Sequence, residues 1–549
     1  MTIITQDPPA SETTPPAPRI PRGVILSVLL TGFVFILLAP TPVITTPAGM
    51  QLTMTPEAHR LVGITFLMAG LWVTQIVPLA ATSLLPLVLF PFLGIQSAKE
   101  VSRAFISDLQ FLFIGGFTIA LGLERWNVHR RIALHVVNRV GVQPRQLVLG
   151  MMIATAALSM WISNTATTLM MAPIALALLK TIDNARPNND SDNTPPMSTQ
   201  LTVPLLLGIA YAASLGGMTT IVGTPTNTAA VAIYQKQLTD APELSVAQWM
   251  MVSIPVGIVY IGIVWLVLTW RLKRQESHET ELRKDLNTRL KTLGPITAAE
   301  LRMLGIFGAV ALLWVLRRPL KFGDWTLLPG WSTLLETWFG LLGRSENVTS
   351  TIAPEKFVTD STVAVALAVL LFFIPSGTRD ESGRRVPLMN WETAVKIPWE
   401  IILLFGGGLA LAGGFSDDVS GLASWMGQAL QGPLQGQPTW LVIAVICLTM
   451  TFLTEVTSNV ATISTVLPSL LIISEQLGTD ARLLLIPATL ATSCAFMLPI
   501  ATAPNAIVFG SGRITPGQMA RYGILLNLIG IPLLTAAACW YIGPLLGSQ

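Results

Sequence analysis

Two stretches of the chain, residues 146–179 and 441–474, run for 34 residues each; the first carries no charged residue and the second only Glu455. A straight helix of that length would reach roughly 50 Å at about 1.5 Å per residue, well past the roughly 30 Å of bilayer hydrocarbon. Each stretch must therefore turn back on itself. The eighteenth residue of each is the serine of a Ser-Asn pair, Ser163 in one and Ser458 in the other, so a polar tip falls at the middle. That is the pattern of a helical hairpin. Its limbs, at roughly 25 Å, are short for a full crossing. A re-entrant hairpin with its tip at mid-membrane is favoured over two complete spans, although the pattern alone leaves both open.

The remainder of the chain is equally apolar. Only 11% of the residues are charged against 52% hydrophobic, whereas soluble domains carry about 25% charge. Eleven further spans can be read, centred near Leu30, Leu67, Leu87, Thr118, Gly217, Val259, Val310, Ala368, Leu409, Met497 and Ile531. This predicts an all-α polytopic membrane protein of about eleven transmembrane helices plus two re-entrant hairpins. Residues 1–22, rich in proline and small polar residues, read as a disordered tail, followed by a first span over 23–40. With the amino terminus cytoplasmic, most of the 33 Lys and Arg fall on cytoplasmic segments, above all in the basic linker 271–301. That linker and the Asn-, Asp- and Pro-rich stretch 183–199 read as solvated. Cys447, Cys494 and Cys539 read as packing residues. His59, His129, His135 and His278 read as surface residues, and the tryptophans mostly as interfacial anchors.

Three sequence blocks recur in order: Phe113-Ile114-Gly115-Gly116 with Leu404-Phe405-Gly406-Gly407, Ser163-Asn164-Thr165-Ala166-Thr167 with Ser458-Asn459-Val460-Ala461-Thr462, and Gly223-Thr224-Pro225-Thr226-Asn227 with Ala501-Thr502-Ala503-Pro504-Asn505. Their offsets are 291, 295 and 278 residues. Five crossings separate each block from its partner, an odd number, so the second copy is inverted. The first repeat covers 57–270, with hairpin 146–179 and a broken helix over 201–235; the second covers 302–545, with hairpin 441–474 and a broken helix over 483–512. Inverted repeats with broken helices are a recurring plan of secondary transporters.

The third block predicts the breaks, because proline removes a backbone donor and glycine weakens helix. Non-helical backbone at membrane depth is tolerated only where protein buries it or where it lines a cavity. Free carbonyls and side-chain oxygens there can replace the hydration shell of a sodium ion. Free amides at half-helix N-termini can meet the oxygens of an anion. Neither tip nor break carries Lys or Arg, so a dianion would rely on dipoles, hydroxyl and amide donors, and co-bound cations. Glu455 is assigned to holding unpaired backbone of its tip, with proton or cation carriage as the alternative. No histidine cluster and no Gly-x-x-x-x-Gly-Lys loop marks an enzyme. A channel or anion sensor remains the reading from another class.

At these residues the chain resembles the divalent-anion/sodium symporter family, the sodium-coupled dicarboxylate, citrate and sulfate carriers. The resemblance rests on Trp161-Ile162-Ser163-Asn164-Thr165-Ala166-Thr167, Leu404-Phe405-Gly406-Gly407-Gly408, Thr454-Glu455-Val456-Thr457-Ser458-Asn459 and the run from Met497 to Gly512. It implies an elevator-type carrier, homodimeric, in the bacterial inner membrane, with no cofactor beyond coupling sodium ions and no nucleic-acid partner. One sodium site is implied at Ser159, Ser163, Asn164 and Gly223, and a second at Thr454, Thr457, Asn459 and Ala501. Substrate contacts are implied at Ser163, Asn164, Thr165 and Thr224 from one half and Ser458, Asn459, Val460 and Thr502 from the other. The implied function is import of a C4-dicarboxylate such as succinate, malate or fumarate; a sodium-independent exchanger, or a citrate or sulfate carrier, stays open. Val460 and Ala503 depart from the family pattern, where Thr and Pro are frequent.

Overall fold

The computed structural model describes residues 21–45, 51–106, 108–184, 197–238, 242–272, 279–322, 325–328, 330–335, 338, 357–434 and 436–546. Residues 1–20 of the expected tail and most of the stretch 183–199 lie outside them, while Arg22 already begins the helix Arg22–Leu38. The architecture is helical, and the strands among the described residues form three antiparallel two-stranded ribbons, each between helices. Among the described residues six helices are long and apolar enough to cross a bilayer, including Gln200–Gly217, Val246–Thr269 and Ala298–Val315; six shorter apolar helices accompany them.

Both long apolar stretches are hairpins. The first consists of Pro144–Ser159 and Asn164–Asn184, the second of Thr439–Thr454 and Asn459–Gln476. The leading limbs, 16 residues each, span about 24 Å, short of the hydrocarbon thickness. The limbs overrun the apolar stretches by a few residues because helix continues readily into exposed polar residues such as Lys180. Pro173 and Pro468 lie inside the returning limbs at the same offset as the two tips, a fourth correspondence between the halves. The helix Met197–Gly217 stops before Pro225–Gln237, and Ala481–Thr492 stops before Ala503–Gly510.

The halves interlock. Met197–Gly217 packs on both limbs of the first hairpin, and Ala481–Thr492 on both limbs of the second. The half-helices beyond the breaks cross over: Pro225–Gln237 lies along the second hairpin's returning limb, and Ala503–Gly510 along the first's. The repeated glycine blocks permit close helix approach. A Cβ on Gly115 would lie 2.6 Å from the backbone of Ala364, and one on Gly407 would strike Ser83; small residues at such crossings are how membrane helices come together.

Three expectations change. The linker is not merely solvated: it contains the helix Glu279–Thr292, which docks on Val128–Val140 and the first hairpin with Leu282 and Leu286 buried. These leucines are four residues apart and so share one helix face. His59 and His129 are buried rather than on the surface, His135 is exposed and His278 lies outside the described residues. Trp72, Trp249 and Trp314 are core residues instead of interfacial anchors. Away from the hairpins, Arg317 is fully buried, pairing with Asp360 at 2.5 Å and Glu243 at 2.7 Å. The partners join the ends of three helices, so the charge is satisfied where it is buried.

Candidate functional site

Each hairpin turns through four non-helical or turn residues, 160–163 and 455–458, and its serine begins the returning limb. Ser163 and Ser458 accept from Thr167 and Thr462 backbone N–H through their carbonyls, at 3.0 and 2.8 Å. The amides at the start of the limb have no intrahelical acceptor, so Asn164, Thr165, Asn459 and Val460 stand where partial positive charge gathers. Ser163, Asn164, Ser458 and Asn459 are half-buried, Thr165 is exposed and Val460 is buried.

The two tips share one internal contact. The Ser159 hydroxyl donates to Asn164 Oδ1 at 2.7 Å, and the Thr454 hydroxyl donates to Asn459 Oδ1 at 2.6 Å. Ser159 and Thr454 are fully buried. In each half, therefore, a hydroxyl oxygen and an amide oxygen are held together beside a hairpin turn. The Thr457 hydroxyl donates to Leu453 O at 2.8 Å and meets Thr462 Oγ1.

The first break is fastened to the first tip. Thr220 Oγ1 donates to Met160 O at 2.5 Å and accepts from Gly223 N at 2.9 Å. A Cβ on Gly217 would strike Asn164 Oδ1, and one on Gly223 would lie 2.5 Å from Gly217 O and 3.0 Å from Met160 O. Ser159, Asn164, Gly217 and Gly223 thus form one oxygen-lined cluster; Gly223 is required because backbone approaches backbone there, and Gly217 because the Asn164 side chain fills the space a Cβ would take. Thr224 caps the following half-helix from an extended backbone and is buried; its hydroxyl reaches Thr226 Oγ1 at 3.4 Å.

In the second half Thr502 caps Ala503–Gly510, accepting from Asn505 N at 3.3 Å, and Ala501 is buried just before it. The break spans ten residues against seven in the first half. The longer segment exposes more backbone donors, and Glu455 takes them: its carboxylate accepts from Phe496 N at 2.8 Å, Met497 N at 2.9 Å, Leu498 N at 3.0 Å and Asn527 Nδ2 at 2.7 Å. Glu455 therefore holds the neighbouring break and not, as expected, its own tip. Charge-assisted hydrogen bonds of this kind are about twice as strong as neutral ones.

Asn227 and Asn505 were visible in the repeat but given no role. Both are fully buried. The Asn227 amide donates to Gly217 O, Met218 O and Thr220 O at 3.2, 3.0 and 2.7 Å; the Asn505 amide donates to Ala495 O and Leu498 O at 3.0 and 3.1 Å. Each staples its break at equivalent carbonyls. Trp249 also donates to Met218 O, and Ser253 and Tyr211 cap the further carbonyls of Thr219 and Phe496 from neighbouring helices. Asn227 Oδ1 and Asn505 Oδ1 are buried and meet no donor among the described residues.

The donor set at both tips is oxygen only and uncharged, which suits a hard monovalent cation better than a soft transition metal. Among the described residues no group of three or more His, Cys, Asp or Glu gathers.

The family model described as the sodium:sulfate symporter transmembrane region matches residues 27–548. The chain is 36% identical over 526 residues to the sodium-dependent dicarboxylate transporter SdcS of Staphylococcus saprophyticus, covering 96% of this chain and 92% of that one. It is 38% identical over 494 residues to SdcS of Staphylococcus aureus, covering 89% and 86%. Among solved structures, Neisseria gonorrhoeae MtrF aligns over 94% of both chains at 12% identity with a TM-score of 0.51, a likeness of fold alone.

Proposed function

Because the chain belongs to the sodium:sulfate symporter family, a family of membrane transporters and not of enzymes, we propose that it imports a C4-dicarboxylate such as succinate, malate or fumarate by sodium symport. The observation that carries this is the duplicated hydroxyl-to-amide contact, Ser159–Asn164 and Thr454–Asn459, each beside a broken helix. The relatives named as sodium-dependent dicarboxylate transporters support the choice of ion and substrate class.

In this reading sodium enters first. One ion takes Ser159, Ser163, Asn164 and Gly223, and the other takes Thr454, Thr457, Asn459 and Ala501. The hydroxyl protons of Ser159 and Thr454 rotate off the Asn oxygens so that both oxygens of each pair face the cation. The two added charges then make the tips attractive to a dianion. Its carboxylates meet Ser163, Asn164, Thr165 and Thr224 on one side and Ser458, Asn459 and Thr502 on the other, with Val460 as apolar wall. Each excess positive charge moved inward gains about 2.3 kcal/mol per 100 mV. The hairpins and broken helices move as one body in a homodimer of the bacterial inner membrane, with the amino terminus cytoplasmic.

The test is uptake of labelled succinate into proteoliposomes with and without an inward sodium gradient, with malate, fumarate, citrate and sulfate as competitors. Accumulation should require sodium and be competed by C4-dicarboxylates. Undiminished uptake without sodium on either side would overturn symport, and stronger competition by sulfate or citrate would overturn the substrate. Asn164→Ala and Asn459→Ala should each raise the sodium concentration for half-maximal uptake about tenfold, the loss of roughly 1.4 kcal/mol. Wild-type sodium dependence in both variants would refute the site.

A further inference from the structure

Val246–Thr269 and the helix Pro516–Ala537 pack together through Tyr260, whose hydroxyl donates to Leu526 O at 2.8 Å against Gly530. Where the first helix ends and the second begins they part, leaving a cleft of about 400 Å³. Its walls include Leu266 and Leu525, which are 57% and 47% exposed, and its rim carries Trp270, Arg271, Arg521 and Tyr522. The Arg271 guanidinium lies over the Trp270 ring, 5.2 Å from its centre. Among the described residues no carboxylate lies within ion-pair distance of Arg271 or Arg521.

We propose that this cleft is a binding site for one anionic phospholipid, its phosphate between Arg271 and Arg521 and an acyl chain along Leu266 and Leu525. The cleft has two parts of opposite character in the order a lipid has them. Trp270 and Tyr522 mark the headgroup level, where amphipathic rings collect. Just there two guanidiniums from different helices face one opening, and guanidinium forks match phosphate oxygens bidentately. A dicarboxylate has no apolar part for the leucine walls. A zwitterionic lipid would bring a cationic group to a rim already carrying two positive charges. An anionic headgroup brings net negative charge to that rim and offsets part of its positive charge, as in basic pockets between membrane helices elsewhere.

The experiment follows thermal unfolding of the purified full-length chain in detergent with added dioleoyl phosphatidylglycerol, dioleoyl phosphatidylcholine or inorganic phosphate. Phosphatidylglycerol alone should raise the midpoint. The Arg271→Gln/Arg521→Gln double variant should need about tenfold more of that lipid for the same rise, while Arg384→Gln/Arg385→Gln, on an exposed ribbon, should respond as wild type. Leu525→Trp keeps both charges but fills the cleft and should also lose the response. An equal rise with phosphatidylcholine or phosphate, or an unchanged response in the double variant or in Leu525→Trp, would overturn the site. If the variants do not fold, native mass spectrometry of the wild type from equimolar phosphatidylglycerol and phosphatidylcholine vesicles decides it: several-fold enrichment of phosphatidylglycerol supports the site, and equal retention refutes it.

Discussion

Glu455 and Gly217 show what a single position decides in the packed interior. The Glu455 carboxylate receives four N–H donors, three of them main-chain groups with no helical acceptor. Glu455→Gln keeps the size but turns an NH2 toward those donors. Leaving buried donors unmet costs about 1–3 kcal/mol each; destabilisation on the order of 3 kcal/mol should appear in thermal unfolding in detergent, with a weaker sodium dependence of uptake. Gly217 makes the opposite point, since there a single carbon is too much. Gly217→Ala should displace Asn164 and lower uptake by about tenfold or more, as overpacking of 1–3 kcal/mol implies. Gly262→Ala, whose Cβ would meet nothing within 4 Å, should leave uptake unchanged. Glu455 could be singled out from sequence as the one acid in a hairpin. Its acceptor role toward residues 496–498 could not, because that pairing depends on how the second broken helix packs on the second hairpin.

Elements differ in how plainly their sequences declare them. Both hairpins could be read because length and a near-absence of charge, Glu455 excepted, leave a membrane segment no other course, and both breaks because Gly, Pro and Asn interrupt apolar runs. Composition concealed the helix Glu279–Thr292: Leu282, Leu286 and Leu290 recur every four residues and pack it on the core, but they stand among charged and polar residues throughout. Its attachment can be tested at that face. Leu286→Asp buries a charge where a leucine was fully enclosed and should free the helix, raising the rate of limited proteolysis between residues 279 and 292 several-fold. Unchanged proteolysis would show that the helix is held by its ends instead. The same limit applies to Asn227 and Asn505: their repetition was visible, but their stapling role follows from the chain folding back on the break.

At the scale of the molecule, the crossed half-helices make each half depend on the other. Pro225–Gln237 rests on the second hairpin and Ala503–Gly510 on the first, so the walls of both clusters are shared. A protease site placed within residues 273–278 should, when cut in the purified protein, leave two fragments that co-elute and unfold in one transition. Separation of the fragments in mild detergent would contradict the interlock. The exchange also bears on origins. A single-copy ancestor folded this way would have lacked the half-helix that completes its own hairpin and would have had to borrow it from a second chain. Fusion through residues 271–301 supplies that complement at fixed one-to-one ratio and high effective concentration, and frees the two copies to diverge, one tip keeping Thr165 while the other has Val460.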